Sequence, residues 1–396
     1  MKLQPESKLV YILDSIDFSI VIDSLESKSN KGPTGYNLES ILRALLVQQI
    51  ENIPNRAALV RRLKQDPVIR YVCGFHVAGR TPSEATMSRY YNKISDDVSL
   101  EKLFYQLVDQ AIDSDIIETN TLAIDSTKLE SYERAKPKKK VKKDDYSTPD
   151  WGAKYDAHRN KITWFGWKIH LVSDAKGELP LDFTVTPANE ADCEQALPLV
   201  SRVTKRLRTR NYQVPEYWTM DSGYDYKKIY KSIYFDYNAQ AIIPLNKRNA
   251  KQPPAGFYDF DGTPSCSCGY KMVYWGKDNN CNKFRCPHVL GKEECLYGSA
   301  WCSDSNYGYV AKTRVKDNPR YISLPHRGSR NWQKIYNKRT SVERTFSRLK
   351  EHLNLENLTV MGANKVKTHV LLSCISLIAG KLAIERLNRK QDRAVA

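Results

Sequence analysis

No run of this sequence is long and apolar enough to cross a membrane: the most apolar stretch, residues 370–384, is broken by Ser373, Ser376 and Lys381. The first residues, MKLQPESKLVYILDS, lack the extended apolar core and the small-residue cleavage site of a secretory signal. These absences exclude a membrane-spanning chain and predict a soluble, cytoplasmic one. Acidic residues are also in short supply, 45 Asp plus Glu against 62 Lys plus Arg, and the net charge is +17. A polyanionic partner is the simplest account of that excess, because each phosphate neutralised releases counterions. In a reducing compartment the nine cysteines should not form disulfides, so clustered ones point first to a metal. At 396 residues the chain has room for roughly two or three domains.

Two patterns divide the chain. Up to about residue 118 the spacing is helical. LESILRALLVQQIE places Leu38, Ile41, Leu42 and Leu45 on one face. ENIPNRAALVRRLKQD reads as a helix with Pro54 in its opening turn and Leu59 and Leu63 inward. Thr81-Pro82-Ser83-Glu84 offers a capping box with proline at the first helical position. The helix it opens carries Ser83, Thr86, Ser88, Arg89 and Asn92 as polar groups able to meet DNA. Residues 1–118 are therefore expected to form an all-helical, helix-turn-helix-like DNA-binding domain.

From residue 119 strands appear. NTLAIDSTKLES reads as a buried strand, residues 122–124, that delivers Asp125 at its end. A lysine-rich segment, ERAKPKKKVKKDDYS, follows as a surface loop. ITWFGWKIHLVSD and LPLDFTVTPA, with a turn signal at residues 174–177, predict an antiparallel pair. His170, Trp164 and Trp167 read as structural residues of these strands. A helix over 191–208, a short strand ending in Asp221, a helix from about Tyr226 and the strand AQAIIPL complete an α/β pattern, a mixed sheet covered by helices. Chemistry in such sheets sits beyond the carboxyl ends of the strands. Asp125 and Asp221 are both expected there.

Residues 331–351, NWQKIYNKRTSVERTFSRLKE, carry the third part of the pattern. At helical periodicity Tyr336, Arg339, Glu343 and Lys350 share a stripe roughly 60° wide. Beside it Val342, Phe346, Leu349 and Leu353 make an apolar seam. One carboxylate, two cations and a phenol on one face suit an anionic substrate beside a divalent metal. A solvated face with pairs such as Arg339 and Glu343 would need only the same spacing.

The order of acids resembles that of the ribonuclease-H-like DDE nucleotidyltransferases, and in particular bacterial insertion-sequence transposases. Tyr336, Arg339, Glu343 and Lys350 match that family's Tyr-x2-Arg-x3-Glu-x6-Lys signature, and AIDSTKLES, GWKIHLVSD, VTPANEAD and MDSGYD are similar to its other blocks. The resemblance runs from about residue 119 to the C-terminus. It implies a catalytic domain over 119–396 in which Asp125, Asp221 and Glu343 hold two Mg2+ ions, or Mn2+ in vitro, about 3.5–4 Å apart. Tyr336, Arg339 and Lys350 would position phosphate. The implied reaction is cleavage at element ends followed by strand transfer, and the implied partners are double-stranded DNA, both terminal repeats and target, and a second copy of the chain. A DNA-binding regulator of the same element, and a nuclease without strand transfer, share much of this outline.

Residues 251–320 form a Cys-rich insert with Cys266, Cys268, Cys281, Cys286, Cys295, Cys302 and His288. SCSCGYKM and FRCPH resemble the two knuckles of a zinc ribbon, although their spacings are Cys-x-Cys and Cys-x4-Cys rather than Cys-x2-Cys. A structural Zn2+ is the expectation.

Overall fold

The computed structural model describes residues 8–25, 35–135, 147–155, 158, 160–248, 250–298 and 300–395. Most of the lysine-rich segment expected as a loop lies outside them. Seven helices come first: α1 Lys8–Leu13, α2 Ser19–Leu25, α3 Leu38–Ile50, α4 Arg56–Gln65, α5 Pro67–Val72, α6 Glu84–Ser95 and α7 Ser99–Asp113. Strands β1 Thr121–Glu130, β2 Asp150–Tyr155, β3 Lys161–Asp174 and β4 Pro180–Pro187 follow, then α8 Asp192–Thr209, β5 Tyr217–Thr219, α9 Lys227–Phe235 and β6 Gln240–Ile242. The last third holds β7 Val273–Asp278, β8 Cys281–Arg285, β9 Val310–Arg314, α10 Arg330–Asn337, α11 Thr340–His352 and α12 Ala363–Val395. Among the described residues no helix is long and apolar enough to cross a membrane.

The chain forms two compact units, Met1–Glu118 with Ser126–Glu190 and Val342–Ala396, and Thr119–Asp125 with Ala191–Ser341. In the first, α12 is the central post, packed on by α1, α3, α6, α7 and β4. Its apolar run, which looked too interrupted for a membrane, is the inside of this unit, where Ser373 and Ser376 hand their hydroxyls to His369 O and Leu372 O. Helix starts follow local side chains. Asn55 accepts from Ala58 N–H (2.8 Å) and Ser83 from Thr86 N–H (3.2 Å), so Pro54 and Pro82 lie before the caps rather than inside the first turns. Ser and Asn supply an acceptor that proline cannot, which is why the start moves past each proline.

β3 is the centre of the strands in this unit, antiparallel to β2 through its first half and to β4 through its second. Ser131 N–H donates to Phe165 O beside the end of β1 (3.0 Å). That approach is why residue 166 is glycine: a Cβ there would stand 2.3 Å from Leu129 O and 2.7 Å from Ser131 N. The expected turn at Asp174 is present, its carboxylate accepting from the N–H groups of Gly177 and Leu179. Trp164, Trp167 and His170 are buried, and His170 Nε2 lies 2.9 Å from Thr186 Oγ1.

In the second unit, β1, β5 and β6 run parallel, with Ala123 level with Thr219 and Thr219 level with Ile242. Leu122, Ala123, Ile124 and Trp218 are fully buried, as expected for strands covered on both faces. α8 packs on α9, and α10 lies against β5 and β6. β7, β8 and β9 form a separate three-stranded antiparallel sheet. The described chain is thus a mixed α/β fold.

Candidate active site

Parallel register builds the first part of the site. Asp125 lies two residues beyond Ala123 and Asp221 two residues beyond Thr219, the residues that face each other across β1 and β5. The ladder ends at that pair, and both acids lie just beyond it, near Arg339 and Tyr224. β1 itself continues to Glu130, so Asp125 sits within a strand rather than at its end. β5 does stop, because Asp221 turns the chain into a 3-10 turn, Ser222–Tyr224, and accepts from Gly223 N–H (2.9 Å).

Arg339 joins the pair. Its Nη1 donates to Asp125 Oδ2 (3.4 Å), and its guanidinium lies 5.8 Å from the centre of the Tyr336 ring. That ring in turn stacks on the buried Trp332 at 5.2 Å and 17°. Ser329 caps α10 by accepting from Trp332 N–H (3.2 Å). α10 therefore carries Trp332 and Tyr336, and Arg339, just past its end, continues the series to an acid.

The acids outnumber the cation. Burial pushes the Asp221 carboxyl up, against the Gly223 N–H and the Arg339 charge, which lower it, and Asp192 raises it further. Tyr224 is 2 % exposed, and its hydroxyl has no hydrogen-bond partner among the described residues. Burial first, then the charges of Asp125, Asp192 and Asp221, hold that phenol well above its ordinary value. Asp192, the first residue of α8, and Tyr224 are site neighbours that the sequence reading passed over. Their one sequence signal was membership of the blocks VTPANEAD and MDSGYD.

The stretch expected as one helix is two, α10 and α11. Thr340 Oγ1 donates to Asn337 O (3.0 Å), the acceptor that Ser341 N–H would take in a continuous helix, and Ser341 N–H goes to Lys338 O instead (3.1 Å). Lys338 and Arg339 likewise bond three residues back, to Ile335 and Tyr336, the tightening that ends an α-helix. The single polar stripe is therefore cut between Arg339 and Glu343. Glu343 and Lys350 belong to the first unit, and there the expected apolar seam of Val342, Phe346, Leu349 and Leu353 is buried. Arg344 and Arg348 pair with Glu178, and Thr345 Oγ1 donates to Glu178 O (2.9 Å). Glu343 is exposed, and Lys350 Nζ pairs with Glu356 (2.9 Å).

Residues 117–379 match the transposase DDE domain family, and residues 1–93 match a transposase domain of otherwise undefined function, DUF772. The chain belongs to the DDE transposase family. It is a DNA transposase, an enzyme that cleaves DNA and transfers strands. No curated protein matches the transposase in sequence. A similar solved structure is the cryo-EM piggyBac transposase synaptic complex with hairpin DNA, 13% identical, with a TM-score of 0.41 over 95% of this chain and 73% of that one.

DDE transposases use divalent metal ions. The carboxylates of Asp125 and Asp221 are hard oxygen donors of the kind a divalent metal ion such as Mg2+ takes. Among the described residues no group of three or more His, Cys, Asp or Glu side chains is already gathered to hold a metal, so the fit is one of donor chemistry.

Among the described residues no cysteine of the transposase is in a disulfide. Burial, then Cys295, with Cys266 and Cys302 beside it, pushes the Cys268 thiol up to about 12. Gly269 N–H closes a turn on Cys266 O (2.9 Å), and Gly298 N–H closes a like turn on Cys295 O (3.0 Å). Cys286 of FRCPH belongs to the same neighbourhood, acting on the Cys302 thiol together with Cys266 and Cys295. Cys281 stands on β8 level with Arg314, and His288 Nδ1 accepts from Cys295 N–H (3.3 Å).

Proposed function

We propose that the transposase cuts at the ends of its element and joins the freed 3′ ends to target DNA, using Asp125, Asp221 and Glu343 as the acids of a two-metal site. The observation that carries this reading is that Asp125 and Asp221, each just beyond the end of the parallel β1–β5 ladder, both lie beside Arg339. Mg2+ bound by these acids would stabilise the charge on the attacking and leaving oxygens of an in-line displacement. Tyr336 and Arg339, stacked in series behind Asp125, and Lys350 would align the phosphate. In this reading the sheet is ribonuclease-H-like, residues 1–118 form the helical DNA-binding part, 119–396 the catalytic part with the Cys-rich insert at 251–320, and a homodimer pairs the two element ends.

The deciding assay is strand transfer on a labelled duplex carrying the native element ends. Joined products are the expected result. Cleavage without joining would favour a nuclease, and a gel shift with neither would favour a regulator; either outcome rejects the reading.

A structural Zn2+ in the insert would draw its ligands from the neighbouring thiols of Cys266, Cys268, Cys286, Cys295 and Cys302, soft donors of the kind zinc takes. Protein purified without chelator should contain about one zinc per chain by elemental analysis. A folded, metal-free preparation would overturn this assignment.

A further inference from the structure

The sheet β7–β8–β9 has two unlike faces. Phe284 is fully buried on one of them, against Tyr274 and His326 (ring centres 5.6 and 5.1 Å apart), and Asn282 donates to Ser323 O (3.0 Å) beside it. Alternation along the strands puts Cys281, Lys283 and Arg285 of β8 on the other face. The register sets Lys283 level with Lys312, Cys281 level with Arg314, and Asp278 level with Cys281.

Two features of this outer face work against folding alone. Lys283 and Lys312 are like charges directly opposite each other, an arrangement that destabilises a sheet. Trp275 and Tyr307 keep 48% and 38% of their surface in water. Arg285 holds both rings in place: it is 8% exposed, its guanidinium lies 4.5 Å from the Trp275 ring centre and 3.4 Å from that of Tyr307, and Nη2 donates to Tyr307 O (2.8 Å). Lys283 Nζ lies 4.9 Å from the centre of the Tyr307 ring, so cation and aromatic are interleaved. Asp278 pairs with Lys312 (2.7 Å), one carboxylate set among Lys283, Arg285, Lys312 and Arg314.

Lysines on edge strands can serve to prevent sheet-to-sheet association. That does not account for Lys283 and Arg285, which sit on the central strand. A polyanion does, since it relieves the opposed lysines and covers the rings.

We propose that the outer face of β7–β8–β9 is a DNA-contacting surface separate from the acids, with Lys283, Lys312 and Arg314 on phosphates and Trp275 and Tyr307 packed against the sugars between them. The proposal rests on DNA being the substrate and not on which residues do the chemistry. Its chemistry is that of backbone contact, which positions a duplex without reading its sequence.

The test is fluorescence anisotropy with the full-length protein and a labelled duplex, read across a series of salt concentrations. Each phosphate contact contributes about 0.9 to the slope of log affinity against log salt. The triple variant Lys283→Ala, Lys312→Ala, Arg314→Ala should lower the magnitude of that slope by about 2 to 3 and weaken binding at least tenfold, roughly, near 0.1 M salt. Lys312→Gln alone, which keeps the stem, should lower it by about 1. Thermal unfolding monitored in parallel distinguishes lost contacts from lost fold. A folded triple variant with the wild-type slope and affinity overturns the proposal. Asp125→Ala, expected to lose chemistry and keep the slope, separates this outcome from a failure of the acid assignment.

Discussion

Asp221→Ala will stop DNA cleavage and joining while leaving duplex binding at least as tight as in the wild type. Asp221 holds its position by accepting from Gly223 N–H at the end of β5. Removing one preorganised group at a reacting phosphate costs on the order of 10^2 to 10^3 in rate, and if Asp221 ligates metal as proposed, its loss should fall at or beyond the upper end. Binding should not suffer, because the substitution takes a negative charge away from a surface that meets phosphate. Asp125→Ala and Glu343→Ala are expected to do the same. For Asp125 the change also removes the carboxylate that Arg339 holds at 3.4 Å, so a loss of Arg339 order accompanies it. The measurement is the rate of product formation on a labelled element-end duplex, beside anisotropy on the same DNA. Cleavage within about tenfold of wild type in any of the three, roughly 1.4 kcal/mol of barrier, would remove that residue from the chemistry.

The second large effect concerns Asp225, four residues from Asp221 and inside the same MDSGYD block. Its side chain is fully buried and accepts from Arg320 Nε (3.0 Å), Arg320 Nη2 (2.7 Å) and Asn246 N–H (2.9 Å). Burial works against its ionisation, but the Arg320 hydrogen bonds, the Asn246 N–H and the Arg320 charge outweigh it and hold the carboxyl below the usual range. Asp225→Ala leaves Arg320 without its partner. Uncompensating a buried charge costs about 3–5 kcal/mol, and the lower end applies because Arg320 keeps 21% of its side chain in water. The sign with pH follows from the depressed value. The stabilisation is fully present above the unfolded carboxyl's pKa, about 3.9, and is lost as pH falls through the lower folded value. Denaturant unfolding at neutral pH should therefore show a destabilised variant, and the gap to wild type should narrow below about pH 4. A gap that is small at neutral pH would show that Arg320 finds water or another acceptor at little cost.

Asp221 and Asp225 also show what a sequence can and cannot assign. Both acids follow the same short strand, and spacing alone does not say which is chemical. Asp225 is spoken for by Arg320, a residue 95 positions away, whereas Asp221 lies near Arg339, which pairs with Asp125. The same reasoning separates helix faces from helix continuity. The seam of Val342, Phe346, Leu349 and Leu353 follows from periodicity and is buried as expected. The break at Lys338 and Arg339 depends on one threonine hydroxyl taking a carbonyl from the backbone, and Thr340 carries no mark of that choice in the chain. Asp192 was missed for a related reason: an acid in the first turn of a helix is ordinary electrostatics, and only packing against the turn that holds Tyr224 gives it another meaning.

By itself the sequence determined the apolar strands, the helical spacing, the excess of positive charge and the order of the acids, because each of these depends on neighbours within a few residues or on composition. Tertiary structure alone decided that Asp125 and Asp221 share Arg339 as a neighbour, that Asp225 pairs with Arg320, and that Lys283 faces Lys312. Those outcomes depend on strand register and on partners far away in the chain, and no local preference encodes either.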